Sequence, residues 1–360
     1  MKRNNQYTHG GEVYDKQVTL DYSINVNPFG MPDAVKEAIT ANMEQYVKYP
    51  DSACLTLRKE ISKANSKAKI TSDMVLCGNG AADIIYRLCL AVKPKKAMVL
   101  APTFSEYEQA LHMVGSEVFY YELKEETGYL VEQDILEEIE NKRCSMVFLC
   151  NPNNPIGNLI PAEMMRRIIE KCKQLGVLVV IDECFMEFTM YEETHSMVSN
   201  LTKYENVIII KAFTKTYAMA GLRLGYALCA DFDLLSRMRQ SGPPWAVSSV
   251  AQVAGIAALK QHEYVEAARD YIKEEREYLT SMLRKIGCEV YHSETNYLVF
   301  KDPSHTTNPI SLYERMLVRK ILIRQCGNYH GLGNQYYRIT VGRHNDNVTL
   351  IDALTQEIRM

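Results

Sequence analysis

The sequence predicts an α/β fold in which a large domain with a mostly parallel seven-stranded sheet is followed by a smaller α+β domain. Three observations support this prediction. From residue 74 onward, seven short apolar segments alternate mostly with helical stretches, which is the pattern of strands joined by crossover helices. Several of these segments are followed directly by small or polar residues, as at the carboxyl ends of parallel strands. With 360 residues, 47% of them hydrophobic, the chain can also form more than one core.

Each element is predicted from hydrophobic periodicity and from the prolines and glycines that interrupt it. The strands of the main sheet are expected at 74–77, 97–100, 117–123, 145–149, 177–181, 207–210 and 225–229. The later strands are expected near 288–291, 297–300, 321–324 and 337–341. Helical regions are expected at 32–42, 52–64, 249–286, 309–319 and 346–359. Residues 1–30 are polar and rich in glycine, so we expect an arm or loop there, not a packed element.

These elements suggest three parts of the chain. Residues 1–45 are expected to form the arm and a helix that packs with the small domain. Residues 46–245 are expected to form the large domain, and residues 246–360 the small one.

The composition is that of an ordinary globular protein. The net charge is −3 and no long basic run is present, so nothing indicates binding to nucleic acid or to an anionic membrane. No apolar stretch approaches the ~20 residues of a membrane span, and none follows the first residues as in a signal peptide. The ten cysteines include no C-x-x-C pair and the eight histidines are dispersed. We therefore expect buried reduced thiols in a cytoplasmic protein, and no metal site.

The segment around Lys215 carries the strongest chemical signal. An apolar β-branched run ends in a polar stretch that contains Thr214, Lys215 and, eight residues further on, Arg223. A lysine held just past a buried strand, with an arginine nearby, has a lowered pKa and can attack a carbonyl group. An isolated lysine at such a place would more simply be a solvated loop residue.

The surrounding residues decide between these two interpretations. The string F-T-K-T-Y-A-M-A-G-L-R-L-G-Y resembles the lysine segment of fold-type I aminotransferases, which use pyridoxal 5'-phosphate (PLP). The resemblance implies the PLP-dependent transferase fold of type I. It also implies that Lys215 is the catalytic lysine that carries PLP, and that Thr214 and Arg223 hold the cofactor phosphate.

A phosphate turn is also expected after the first strand of the sheet. The residues Gly78-Asn79-Gly80-Ala81-Ala82-Asp83 lead into a helix, whose N-terminus favours an anion. They do not match G-x-G-x-x-G, so a dinucleotide site is only weakly indicated. They do resemble the G-N-G-[SA]-x-[DE] turn of the same family, which implies cofactor contacts from Gly80, Ala81 and Ala82.

Three further strand ends match the family in order. Asn154 lies in N-P-N-N-P-I-G, which implies a hydrogen bond to the phenolic oxygen of PLP. Asp182 follows a buried strand and could cap a helix, but the family implies that it pairs with the protonated pyridine nitrogen. Phe104 is expected to stack on the cofactor ring, whereas Tyr107 is assigned to the core.

The N-terminal residues narrow the resemblance. H-G-G at His9, followed by D-Y-S-I-N-V-N-P-F-G, is similar to the opening of threonine-phosphate decarboxylases of cobalamin biosynthesis. Histidinol-phosphate aminotransferases share N-P-x-G but usually lack H-G-G. The resemblance implies substrate contacts from His9 and Asn27, although a frayed terminus is the simpler interpretation of His9. In the family, the tyrosine of Y-P-D, here Tyr49, reaches the cofactor phosphate of a second subunit; the alternative is an interface aromatic without that contact.

Two arginines and two aromatic residues bear on the substrate. Arg324 and Arg338 stand in predicted strands, and R-I-T-V-G resembles the substrate-anion motif of the family. In the branch with phosphorylated substrates both arginines bind the substrate phosphate. Phe185 stands where aminotransferases usually have tyrosine, and P-P-W at Trp245 is also closer to the decarboxylases.

The sequence thus predicts a homodimeric PLP enzyme that acts on a small phosphorylated amino compound. Decarboxylation of threonine phosphate is the preferred reaction, and transamination of histidinol phosphate is the alternative. A PLP-sensing regulatory domain would normally be joined to a DNA-binding module, and neither end of the chain has a basic helix-turn-helix pattern.

Overall fold

The structure is a computed structural model, and it describes residues 10–359 of the chain. Its β-strands are β1 (Leu20–Asp21), β2 (Val75–Gly78), β3 (Lys96–Ala101), β4 (Glu117–Glu122), β5 (Met146–Cys150), β6 (Leu178–Asp182), β7 (Val207–Ala212), β8 (Gly225–Cys229), β9 (Glu289–Val290), β10 (Tyr297–Lys301), β11 (Ile321–Leu322), β12 (Arg324–Gln325) and β13 (Tyr336–Thr340). Its α-helices are α1 (Asp33–Ala41), α2 (Leu55–Ala64), α3 (Gly80–Val92), α4 (Glu106–Met113), α5 (Ile135–Lys142), α6 (Ala162–Leu175), α7 (Glu192–His195), α8 (Phe213–Thr216), α9 (Phe232–Gln240), α10 (Ser249–Ala258), α11 (His262–Lys285), α12 (Leu312–Val318) and α13 (His344–Arg359).

The main sheet has seven strands in the order β2-β8-β7-β6-β5-β3-β4. Strand β8 runs antiparallel to both of its neighbours, and the other pairs are parallel. Every predicted strand between residues 74 and 229 overlaps one of these strands, so the predicted mostly parallel seven-stranded sheet is confirmed. The agreement has a physical cause, because strands buried on both faces are short, apolar and easily recognised.

Strand β7 illustrates how the sheet is covered. All six of its residues are buried. Val207 and Ile209 pack into one hydrophobic cluster, whereas Ile208 and Ile210 pack into a second one. Since successive side chains of a strand point to opposite faces, the two clusters are the cores above and below the sheet. This strand leads directly into Lys215.

The C-terminal region has its own sheet, antiparallel and ordered β12-β13-β10-β9. Helices α11 and α13 cover it with residues such as Leu279 and Leu350. The predicted helical region 249–286 is interrupted between α10 and α11, and the predicted strand 321–324 is divided between two sheets. The boundaries of the expected domains stay a prediction.

Within residues 10–359 no helix is both long and apolar enough to cross a bilayer. All ten cysteines are buried and have free thiols.

The prediction of an unpacked N-terminal arm is wrong for residues 20–27. Strand β1 pairs in parallel with β11, and the N–H of Thr340 in β13 donates to the carbonyl of Tyr22 at 3.0 Å. The Tyr22 hydroxyl donates to Asn347 Oδ1 at 2.9 Å. These partners lie some 300 residues away along the sequence, and they supply the hydrogen bonds that let a polar segment be buried.

A buried charge cluster stands behind the strand that leads to Lys215. Lys211 Nζ lies 3.0 Å from Glu187, 3.5 Å from Glu183 and 3.8 Å from Glu192. Arg269 of α11 binds Glu192 at 2.6 Å and so connects this helix to the cluster. Burial raises the pKa of both Glu183 and Glu187. Lys211 therefore compensates two carboxylates that would otherwise be costly to bury.

We expect Lys211→Met to lower the free energy of unfolding by about 3 to 5 kcal/mol, because it leaves buried carboxylates without a cation. Urea denaturation followed by circular dichroism would measure the loss. Lys171→Met is the matched control, since Lys171 binds Glu140 on the surface at 2.6 Å, and its loss should cost less than about 1 kcal/mol. Equal effects of the two substitutions would contradict a compensating role for Lys211.

Candidate active site

A cavity of about 400 Å³ opens at the carboxyl edge of the main sheet, where it meets β12 and β13. Segments that follow β2, β3, β5, β6 and β7 contribute to its wall, as expected for a parallel sheet. The residues predicted for the site that line it are Ala81, Ala82, Phe104, Asn154, Asp182, Thr214, Lys215, Arg223, Arg324 and Arg338. The main sheet and the two arginine-bearing strands thus meet at one cavity.

Lys215 lies in the single helical turn α8, directly after β7. Its carbonyl accepts a hydrogen bond from the N–H of Asn27 at 3.0 Å, and its Nζ lies 6.0 Å from the centre of the Phe185 ring. Burial, together with the guanidinium groups of Arg338 and Arg223, lowers the pKa of Lys215 to about 8. A sizeable fraction of the amine is therefore neutral and nucleophilic near physiological pH.

Gly80 and Arg223 form a narrow cradle at the start of α3. Gly80 has a φ of +80°, and a Cβ at this position would lie 2.6 Å from Arg223 Nη2. A Cβ on Gly225 would lie 2.7 Å from the nitrogen of Ala81. Glycine at both positions thus allows the guanidinium and the first N–H groups of the helix to lie close together. The first N–H groups of a helix have no intrahelical acceptors, so they favour an anion.

Asp182 is the last residue of β6, and both of its carboxylate oxygens accept hydrogen bonds. The Tyr107 hydroxyl donates to Oδ2 at 2.6 Å, and the N–H of Cys184 donates to Oδ1 at 2.9 Å. Burial raises the pKa of Tyr107 well above its ordinary value, so this phenol keeps its proton. The Asp182 residue is only 6% exposed, and no basic side chain among residues 10–359 pairs with it. A buried carboxylate of this kind calls for a cationic partner.

Tyr107 was assigned to the core, and it is fully buried there, stacked on Phe148 with ring centres 5.0 Å apart. Its hydrogen bond to Asp182 was not anticipated. An aromatic residue at a helix start gives no local sign that its hydroxyl will reach a strand end 75 residues later.

Arg324 and Arg338 face each other in register on β12 and β13. Arg338 donates to Asn154 Oδ1 at 2.5 Å and to the carbonyl of Ser23 at 3.0 Å. Its buried Nε has no hydrogen-bond partner among the described residues. Arg324 donates to Asn328 Oδ1 at 2.6 Å. The two cations share one cavity, which gives it a strong preference for an anionic ligand.

Asn27, expected to contact substrate, is engaged elsewhere. Its Nδ2 donates to the carbonyl of Thr216 and its Oδ1 accepts from the N–H of Phe29, each at 2.9 Å. Asn27 therefore braces the turn that carries Lys215. Two residues earlier, Asn25 lines the cavity, and its buried Oδ1 has no partner within residues 10–359. The sequence motif contains both asparagines, and only their long-range partners distinguish them.

Tyr49, another predicted contact, does not line this cavity. Tyr49 is 81% exposed and packs against Trp245, with ring centres 4.9 Å apart. His9 lies outside the described residues, but the next residue in the chain, Gly10, lines the cavity.

Comparison with known proteins identifies the family. A family profile described as "Aminotransferase class I and II" matches residues 17–354. The chain belongs to the aminotransferase class I and II family. Enzymes of this family depend on PLP, and this chain is accordingly a PLP-dependent enzyme.

Individual relatives within this family are named for two different activities. A threonine-phosphate decarboxylase of Salmonella typhimurium is 32% identical over 355 residues, with 96% of this chain and 95% of that protein covered. A histidinol-phosphate aminotransferase of Methanosphaera stadtmanae is 31% identical over 336 residues, with coverages of 92% and 88%. The crystal structure of the histidinol-phosphate aminotransferase from Clostridium acetobutylicum superimposes with a TM-score of 0.85 at 29% identity, covering 94% of this chain and 99% of that one.

The pKa of Lys215 leads to a test on the cofactor-free protein. Because only the neutral amine reacts, its modification by a small amine-directed reagent should rise through pH 8 and level off above about pH 9. Ordinary exposed lysines should keep gaining reactivity toward about pH 10.4. Peptide mass spectrometry would follow each lysine separately. Arg338→Ala should move the midpoint for Lys215 upward, and an unshifted midpoint near that of the other lysines would contradict the lowered pKa.

Proposed function

We propose that this enzyme decarboxylates threonine phosphate or a closely related amino acid phosphate. The observation that carries the proposal is the pairing of Arg324 and Arg338 in the cavity of Lys215. Two guanidinium groups on adjacent strands at the wall of one cavity suit a group with several anionic oxygens. A phosphate monoester is such a group. The Salmonella relative is named for this activity.

The residues present fit the cofactor of the family. Asp182 has no basic side-chain partner within residues 10–359, and a protonated pyridine nitrogen would supply the missing cation. The cradle of Gly80, Ala81 and Arg223 would hold the cofactor phosphate, with the Thr214 hydroxyl as a further donor. Asn154 can donate through its Nδ2 to the phenolic oxygen while its Oδ1 accepts from Arg338. Phe104 lines the same cavity and would stack on the ring.

Each of these side chains has a defined task in the proposed reaction. PLP supplies an electron sink for whichever bond of Cα stands perpendicular to its ring. The Asp182 carboxylate would pair with the pyridine nitrogen and favour its protonated form. Arg324 and Arg338 fix the substrate phosphate and so orient Cα. Lys215 would hold a proton close to Cα and could deliver it there in place of the departing CO₂.

The choice of decarboxylation depends on which group the arginines hold. If they bind the phosphate, the α-carboxylate is left free to stand perpendicular to the cofactor ring. Phe185 is consistent with this reaction, since it lines the cavity with a ring that offers no hydroxyl. His9 is proposed as a further substrate contact, supported by the position of its neighbour Gly10 in the cavity wall.

Transamination of histidinol phosphate is the second candidate. It is favoured by the 31% identity to the Methanosphaera enzyme and by the close superposition on the Clostridium structure. This substrate has no carboxylate, so the same arginines could bind its phosphate while Lys215 moves the proton of Cα.

Product analysis separates the two reactions. We expect threonine phosphate to yield CO₂ and aminopropanol phosphate without any added oxoacid. His9→Ala should slow this reaction while the protein keeps its cofactor absorbance. Glutamate formed from histidinol phosphate and 2-oxoglutarate, with no CO₂ released from threonine phosphate, would replace the proposed reaction by the second candidate.

We also propose that the enzyme acts as a homodimer in the cytoplasm. Tyr49 and Trp245 are 81% and 49% exposed, and they stack on each other outside the cavity of their own chain. A second copy would cover this aromatic pair and would let Tyr49 reach the phosphate cradle of that copy. The ten buried free thiols support a reducing compartment.

Mixed dimers test the sharing of sites. We expect Tyr49→Phe and Lys215→Ala to be impaired alone, and to regain activity when denatured together and refolded. If half of the dimers are hybrids with one intact site each, about a quarter of the wild-type activity should return. Arg223→Ala mixed with Lys215→Ala is the control, because both changes affect a site within its own chain and should not complement. Equal recovery in the two mixtures would contradict the role of Tyr49.

A further inference from the structure

We propose that Tyr329 is a specificity-determining residue whose hydroxyl donates a third hydrogen bond to the substrate phosphate. The proposal rests on the proposed function, because the phosphate in question is the group assigned to Arg324 and Arg338. It concerns a residue in the loop after β12 that the sequence motifs do not single out.

The loop places Tyr329 between the two arginines. A turn closes when the N–H of Tyr329 donates to the carbonyl of Cys326 at 2.9 Å, and the N–H of Leu332 donates to the carbonyl of Tyr329 at 3.1 Å. The ring centre of Tyr329 lies 5.4 Å from the guanidinium carbon of Arg324. Its hydroxyl lies 3.3 Å from Arg338 Nη1. All three side chains line the cavity that contains Lys215.

The direction of the hydrogen bond from Arg338 determines what the Tyr329 hydroxyl can still do. A guanidinium has only donors, so the hydroxyl oxygen must accept from it. The hydroxyl proton is then left for another acceptor, and within residues 10–359 no acceptor is bound to it. A phosphate held by the two arginines would bring an oxygen to this place. A hydrogen bond to a charged oxygen is stronger than one to a neutral acceptor.

This donor favours phosphate over other anions. A carboxylate has two oxygens, which one arginine can satisfy with its two parallel N–H groups. A phosphate has further oxygens, which the second arginine and a neutral donor can bind without adding positive charge beside Lys215. Since Arg338 already lowers the pKa of that lysine, a phenol is better suited to this position than a third cation.

The Tyr329 ring also lies between two cavities. Tyr329 and Phe104 line both the cavity of Lys215 and a neighbouring cavity of about 340 Å³, so together they stand between the two. Removing the ring would join the cavities and disturb the site in general. Tyr329→Phe keeps the ring and removes only the donor, which makes it the informative substitution.

The test compares ligands with and without a phosphate, on the enzyme with its cofactor bound. Inhibition constants would be measured for inorganic phosphate, and dissociation constants for aminopropanol phosphate and for aminopropanol from the change in cofactor absorbance. Tyr329→Phe should weaken both phosphate-bearing ligands by about tenfold or more, and aminopropanol by less than about twofold. Tyr336→Phe is the matched control, because its hydroxyl donates to Glu125 at 2.9 Å and does not line the cavity. It should change none of the three constants.

Arg338→Ala separates failure of this inference from failure of the proposed function. If Arg338→Ala weakens phosphate binding but Tyr329→Phe does not, the role of Tyr329 is overturned and the phosphate site stands. If neither substitution weakens it, the phosphate site itself is wrong. If Tyr329→Phe weakens aminopropanol as much as its phosphate, the hydroxyl only supports the structure, which would also overturn the inference.

Discussion

Repulsion among neighbouring cations is the interaction on which the candidate active site depends. Lys215 shares its cavity with Arg223, Arg324 and Arg338. In a partly dehydrated cavity like charges interact more strongly than in water, and the lysine is the one cation that can give up its proton. Burial is the first cause of its lowered pKa, and the charges of Arg338 and Arg223 lower that pKa further. The same positive charge favours anionic ligands in the cavity.

The fold holds these charges in place by distributing them over separate elements. Lys215 follows β7 of the main sheet, whereas Arg338 stands on β13 of the small one. Asp182, whose carboxylate has the opposite charge, ends β6 and accepts a hydrogen bond from the Tyr107 hydroxyl. Arg324 and Arg338 are held close together on paired strands, and each is hydrogen-bonded, which limits how far these two cations can separate. The binding free energy of an anion therefore includes the relief of this repulsion.

The sequence revealed the features that depend on neighbours along the chain. The seven strands were recognisable because each is an apolar run. Asp182, Asn154 and Lys215 were singled out because each follows such a run and lies in a motif that resembles one of the family. Features set by distant partners were missed. Strand β1 exists only because β11 pairs with it, and residues 321–324 are divided because their two ends pair with different strands. Likewise, nothing near Asn25 or Tyr329 in the sequence indicates that these residues line the cavity.

Residues 23–27 link the two halves of the site. The carbonyl of Ser23 accepts from Arg338, and Asn27 donates from its backbone to Lys215 and from its side chain to Thr216. One short segment, in which Ser23, Asn25 and Asn27 are buried, thus contacts both the arginine proposed for the substrate phosphate and the turn of the proposed catalytic lysine. These hydrogen bonds give partners to polar groups of a stretch that resembles a loop in sequence, which allows Ser23 and Asn27 to be buried.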